Sequence, residues 1–109
     1  MYVSLLSVAM IVCLSQAISA AEAECLFQKA GRDIVVGACE ASVRDPTGSV
    51  QIASPDGSIA ARIESVGGGV GKAFWNEGAK DKAADTLIGP VVLVGACWVS
   101  DKIKLCVTR

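Results

Sequence analysis

Two cysteines bracket the stretch Gly95-Ala96-Cys97-Trp98-Val99-Ser100-Asp101-Lys102-Ile103-Lys104-Leu105-Cys106, and their spacing constrains the fold more than any other feature. Counting outward from a two-residue turn at Asp101-Lys102, Ser100 faces Ile103, Val99 faces Lys104, Trp98 faces Leu105 and Cys97 faces Cys106. The spacing predicts a closing β-hairpin clamped by its own cysteines. Opposed non-hydrogen-bonded residues have Cα atoms about 4.5 Å apart, at the short end of what a disulfide accepts. Trp98, Ile103, Leu105 and Val107 share one face and pack inward together. A type I′ turn needs positive φ at both central residues, which Lys102 disfavours, so a longer loop with shifted pairing is the competing arrangement.

The chain opens with an apolar run over residues 3–14, broken only by Ser4 and Ser7. Small residues follow at Ala17, Ser19, Ala20 and Ala21, and the first charge is Glu22. That is an apolar targeting segment with a small-residue cleavage site. The expectation is a signal peptide over residues 1–21, with the mature chain starting between Ala21 and Glu24. The run is shorter than the roughly 20 residues a membrane helix needs, so no stable membrane insertion is expected after processing. Residues 22–109 then form one domain, whose small core benefits from covalent staples.

Of five cysteines, Cys13 leaves with the signal. Cys25, Cys39, Cys97 and Cys106 remain, an even number in an exported chain, which reads as two disulfides. Three pairings are formally open. Cys25 and Cys39 bracket a second plausible hairpin, residues 26–29 against 33–38 around Gly31-Arg32, so the preferred pairing is Cys25–Cys39 with Cys97–Cys106. Zinc knuckles need tight Cys-x-x-Cys pairs, which the sequence lacks.

Between these hairpins the sequence reads as strands and turns. Residues 41–44 extend as a strand up to the turn Asp45-Pro46-Thr47-Gly48. Val50 and Ile52 alternate on one face. Ser54-Pro55-Asp56-Gly57 is a second turn, and Ile59, Ala61 and Ile63 then share a face opposite Ala60, Arg62 and Glu64. Together these make a hairpin with one apolar side. Gly67-Gly68-Gly69-Val70-Gly71 reads as a flexible connection, Lys72-Ala73-Phe74-Trp75 as a short strand, and residues 78–85 as an exposed polar loop. Leu87-Ile88 and the apolar run 91–94 flank Gly89-Pro90. The expected fold is all-β: a small antiparallel barrel or sandwich of about seven or eight short strands with two disulfides.

Composition removes most chemistry. There is no histidine, so a Ser-His-Asp or Cys-His nucleophile and a histidine-bearing metal site are impossible. Ten basic and eleven acidic residues are mixed along the chain without a basic block, so no nucleic-acid footprint is expected. The glycine run fails as a nucleotide loop: Val66 and Ala73 break the phosphate-loop pattern, and Lys72 replaces the third glycine of the dinucleotide fingerprint. Asp45, Asp56, Glu64, Glu77, Asp81, Asp85 and Asp101 are scattered, and three of them sit in turns where aspartate has a structural reason to be. No cofactor or metal is expected.

The pattern Gly95-Ala96-Cys97-Trp98-Val99-x-Asp101 ending in Cys106, with Cys25, Cys39 and Phe74-Trp75-Asn76, resembles a group of small exported alphaproteobacterial proteins. What that resemblance implies is structural, with no activity attached. In size and class the chain is also similar to periplasmic lysozyme inhibitors, which present a Ser-Gly-x-x-Tyr loop. The nearest stretch here, Asp56-Gly57-Ser58-Ile59-Ala60, departs from it in order and lacks the tyrosine.

The functional expectation is a small exported non-catalytic binding module, periplasmic or secreted, such as an inhibitor of a hydrolase of the lysozyme type. Its partner is a protein or glycan of the envelope or exterior, met through Trp75, Asn76, Trp98, Lys80 and Lys82. The alternatives are a small carboxylate-dependent hydrolase, or an envelope structural or stress protein without a discrete ligand.

Overall fold

A computed structural model describes residues 21–108. The predicted signal segment lies outside the described residues except for Ala21. The strands are β1 (Ala21–Lys29), β2 (Arg32–Val43), β3 (Val50–Ala53), β4 (Ala60–Gly67), β5 (Val70–Trp75), β6 (Thr86–Val94), β7 (Cys97–Val99) and β8 (Ile103–Thr108). Each pairs antiparallel with the next, and β8 returns to β1, so the sheet closes on itself as a barrel rather than a sandwich. Closure removes both sheet edges, which would otherwise be templates for aggregation.

The closing hairpin has the predicted register: Cys97↔Cys106, Trp98↔Leu105 and Val99↔Lys104. The disulfide joins Cα atoms 4.1 Å apart. The turn needs no positive φ, since neither Asp101 nor Lys102 has one. Instead Ser100 Oγ accepts from the Lys102 and Ile103 N–H groups, and Ser100 N–H donates to the Ile103 carbonyl. A serine side chain thus holds the two-residue connection that Lys102 disfavours in its primed form.

The first hairpin turns one residue earlier than expected. Ala30 and Gly31, at φ 52° and 75°, form the two-residue turn, with Lys29 opposite Arg32. Glycine tolerates that conformation, and the right-handed strand twist demands it at both positions. A bulge between Phe27 and Gln28 then shifts the register by one residue, placing Cys25 opposite Gly37 and Ala23 opposite Cys39. The Cys25–Cys39 bond is therefore diagonal, between Cα atoms 5.8 Å apart.

Two expected breaks are absent. The strand expected over residues 33–37 runs on to Val43 as β2, and residues 86–94 form one strand through Gly89-Pro90. Leu93 N–H donates to Gly69 on the β5 side, so by alternation the Pro90 nitrogen points to the other side. There β7 pairs only with Val92, Leu93 and Val94, so proline removes no ladder bond. Ile88 is the extra residue of a bulge, because Ala73 faces Gly89 while Phe74 faces Leu87.

Alternation fills the lumen with apolar side chains. Phe27, Ile52, Ile63, Leu105 and Val91 are each at most 2% exposed. Fully burying a side chain of this size contributes about 1.5–3 kcal/mol. Cys25–Cys39 is buried among them, whereas Cys97–Cys106 lies on the outer face, half-buried. The two staples thus brace the barrel from opposite sides of its wall, and two intact disulfides are what an oxidising compartment permits.

Candidate functional site

A wide concavity lies outside the barrel. It is an open groove of about 1020 Å³ between the outer face of β3–β4 and the end of the 76–85 loop. Outward residues Gln51, Arg62 and Glu64 form its floor, and Arg44, Asp45, Asp81, Lys82 and Asp85 its rims.

Asn76 starts the loop. It is 1% exposed, yet its side chain is satisfied. Nδ2 donates to the Ser58 and Ala79 carbonyls, and Oδ1 accepts from Gly78 N–H. Ala79 N–H closes the turn on the Asn76 carbonyl, over Glu77 and Gly78 at φ 59° and 73°. Asp81 also has a positive φ, 71°. Such backbone costs about 1–3 kcal/mol at a non-glycine residue and persists where surrounding contacts impose it.

Arg62 ties the loop to the sheet. Nε donates to the Ala84 carbonyl at 2.8 Å, Nη1 pairs with Glu64, and Nη2 reaches Asp85 at 3.4 Å. Its guanidinium lies 4.0 Å from the centroid of the Phe74 ring, its cross-strand neighbour. A planar fork with donors on several edges and a stackable face suits this junction; lysine does not. Lys82 pairs with Glu77 at 2.7 Å, and Thr86 donates to the same oxygen. Lys82, then Thr86, hold the Glu77 carboxyl below its usual range.

The two turn aspartates are occupied by their own turns. Asp45 Oδ1 accepts from Thr47 Oγ1, Thr47 N–H and Ser49 N–H, which lower its pKa to about 2. Asp56 Oδ1 accepts from Ser58 N–H, Ser54 Oγ and Ser58 Oγ, with the same result, about 2. Donors that favour the charged form make these carboxylates poor proton donors at neutral pH.

The five residues expected to form a binding surface do not share one. Trp75 is half-buried toward the Lys29 end of the barrel, its ring 5.9 Å from Phe27 and 5.3 Å from Lys29 Nζ. Trp98 is 6% exposed in the opposite half, beside an apolar hollow lined by Gly69, Leu93 and Val107. Trp98 is a core residue because its inward position on β7 faces Leu93 and Leu105. Asn76 is a structural anchor. Lys80 and Lys82 are exposed on the loop, and only Lys82 lines the groove.

Arg44, Arg62, Glu64 and Asp85 make up the groove without having been singled out for it in the sequence. Alternation does place Arg62 and Glu64 outward; the return of the loop onto them depends on a backbone acceptor, Ala84, which no side-chain pattern reveals.

Fold and groove together define a class: a closed, eight-stranded antiparallel barrel, braced by two disulfides, with a filled lumen and an outer groove of both charge signs. No family model, curated protein or solved structure matches the chain.

Proposed function

We propose that this chain is an exported, non-catalytic binding module that seats a protein partner in its outer groove, the partner being a hydrolase of the lysozyme class. The observation that carries the reading is the groove itself: Arg44, Arg62 and Lys82 share one open concavity with Asp45, Glu64, Asp81 and Asp85. A mixed pattern of this kind suits protein recognition, where charge complementarity sets register and partner choice. The compartment proposed is the periplasm or the cell exterior, on the strength of the apolar segment over residues 1–21 and the two disulfides.

The carboxylate-hydrolase alternative rests on Glu64 and Asp85, which stand in one groove. Both contact Arg62, however, and this favours an anchoring role for them.

The test is a titration of the oxidised protein into lysozyme while cell-wall lysis is followed. The reading expects inhibition that saturates near one equivalent and is lost on reduction. Undiminished lysis at a tenfold excess removes lysozyme as the partner.

A further inference from the structure

Closure pairs every strand on both sides, but β2 only along part of one. β1 covers β2 over residues 32–41, whereas the four-residue β3 reaches only residues 40–43 of it. Beyond Ala53 the chain leaves β2 for the turn of residues 54–59. Arg44 N–H donates to the Ser49 carbonyl. By alternation the backbone groups of Ser42, Glu40, Ala38 and Val36 therefore point to the β3 side, and those of Cys39, Gly37 and Val35 to β1. Ser42 and Glu40 find β3 there, but Ala38 and Val36 find no backbone partner among the described residues. The turn has little to give them. Pro55 has no N–H, and the N–H groups of Ser54, Gly57, Ser58 and Ile59 are all spent within the turn.

An open cleft of about 490 Å³ lies along this edge, with Ile34, Val36 and Ala38 on one side and Pro55, Asp56 and Ile59 on the other. Val36 is 64% exposed. An unpaired strand edge is a template for another strand, because an extended chain matches its alternating donors and acceptors. Ile34 and Ile59, partly buried against the core, give one side chain of such a strand an apolar wall.

The cleft continues past Ala38 and Pro55 into a hollow lined by Glu22, Glu24 and Glu40. Glu22 and Glu40 lie directly opposite each other, which is unfavourable for like charges. No cation lines this hollow, and none of the three glutamates is in an ion pair among the described residues. The other end of the cleft is mixed: Arg32, opposite Lys29, adjoins Asp33. On the far wall Asp56 feels the charge of Lys80. The edge is thus one-signed at its Ala38 end alone, and a cation on the added strand is favoured there.

We propose that the open edge of β2 takes an extended peptide segment of a partner protein as an added strand. Its main chain pairs with Val36 and Ala38, an apolar side chain rests against Ile34 and Ile59, and a lysine or arginine enters the Glu22–Glu24–Glu40 hollow. The cleft shares no lining residue with the groove on β3–β4, so this site stands or falls independently of the function proposed for that groove.

Amide hydrogen exchange of the oxidised protein, followed by NMR, tests it. In the free protein the Val36 and Ala38 amides are expected to exchange at least about tenfold faster than those of Val35, Gly37 and Cys39. The probe is the capped pentapeptide Lys-Val-Thr-Val-Lys, whose symmetry puts a lysine at the hollow in either strand direction. It should slow the Val36 and Ala38 amides at least about tenfold at saturation, with a dissociation constant below about 1 mM. A backbone N-methylated analogue, which lacks the main-chain donors, and Glu-Val-Thr-Val-Glu at low salt should each bind at least about tenfold more weakly. Five results overturn the proposal: Val36 and Ala38 amides already as slow as their neighbours in the free protein; no added protection up to about 5 mM peptide; protection that survives N-methylation; equal binding of the glutamate peptide; or protection that rises with protein concentration alone, which assigns the edge to a second copy of the chain.

Discussion

Gly71 and Trp98 are packed so closely that a Cβ on Gly71 would stand 3.3 Å from Cζ3 of the indole. It would also meet the Glu64 carbonyl oxygen at 2.7 Å and Cγ2 of Ile63 at 3.1 Å. The backbone oxygen cannot swing aside, so β4 and β5 must separate to admit a methyl group. Gly71→Ala is expected to destabilise the barrel by about 1–3 kcal/mol, the usual range for overpacking. Trp98→Leu leaves the clash with the Glu64 carbonyl in place, so it should not rescue Gly71→Ala. Denaturant unfolding of the two single variants and the double variant checks both statements.

The sequence shows why such contacts escape notice. The run Gly67-Gly68-Gly69-Val70-Gly71 reads as a flexible connection, and four of its residues are glycine for two different reasons. Gly67, Gly68 and Gly69 have positive φ in the turn, whereas Gly71 is an ordinary strand residue stripped of its side chain by its neighbours. Local patterns capture what depends on a few adjacent residues: the closing hairpin register, both disulfides and the apolar face of Val50, Ile52, Ala61 and Ile63. They do not capture closure of β8 on β1, nor the return of residues 81–85 over Arg62. Both join segments remote in sequence through backbone groups.

Gly57 provides a contrast. It sits at φ 76° with nothing within 4 Å of a built Cβ, so substitution there acts through backbone conformation alone. Gly57→Ala should cost more than about 1 kcal/mol, and Ser58→Gly should not reproduce that conformational penalty. Thermal unfolding of both variants, with exchange protection across the Ser54–Ile59 closing bond, is the measurement.

Acid should loosen the turns at two aspartates together. Asp45 and Asp56 titrate at about 2 in the folded chain against an ordinary 3.8. A carboxyl whose folded pKa is depressed stabilises fully above its unfolded value and loses that contribution as pH falls through the folded one. The melting temperature is therefore expected to hold above about pH 4 and to fall toward pH 2. Asp45→Asn and Asp56→Asn should melt lower at neutral pH and show a shallower acid decline. Curves parallel to the parent's would place the acid response elsewhere.

The two staples differ in access. Non-reducing peptide mapping should return Cys25 joined to Cys39 and Cys97 joined to Cys106. Under mild reductant the outer Cys97–Cys106 bond should open first, because Cys25 and Cys39 are buried at 4% and 3% exposure. The loop-entropy model assigns each bond about 2–3 kcal/mol. That is a large share of the roughly 5–15 kcal/mol by which a domain is stable, so the fully reduced chain should melt far lower.

If the expected signal segment is cleaved, β1 limits where the cut can fall. Ala23 is buried opposite Cys39, so a cut after Ala23 would remove a core residue. The released chain is expected to begin at Ala21 or Glu22. N-terminal sequencing of exported protein decides this, and a full-length chain held in membranes would refute export by cleavage.

Partner capture from envelope extract tests the proposed function most directly, with the oxidised protein as bait beside a folded Arg44→Glu/Lys82→Glu variant. Both substitutions reverse exposed groove cations while sparing Arg62, which anchors the loop. The account predicts one protein retained by the parent at near-equimolar yield and lost by the variant. Retention of nothing, or of the same protein by both baits, would contradict it.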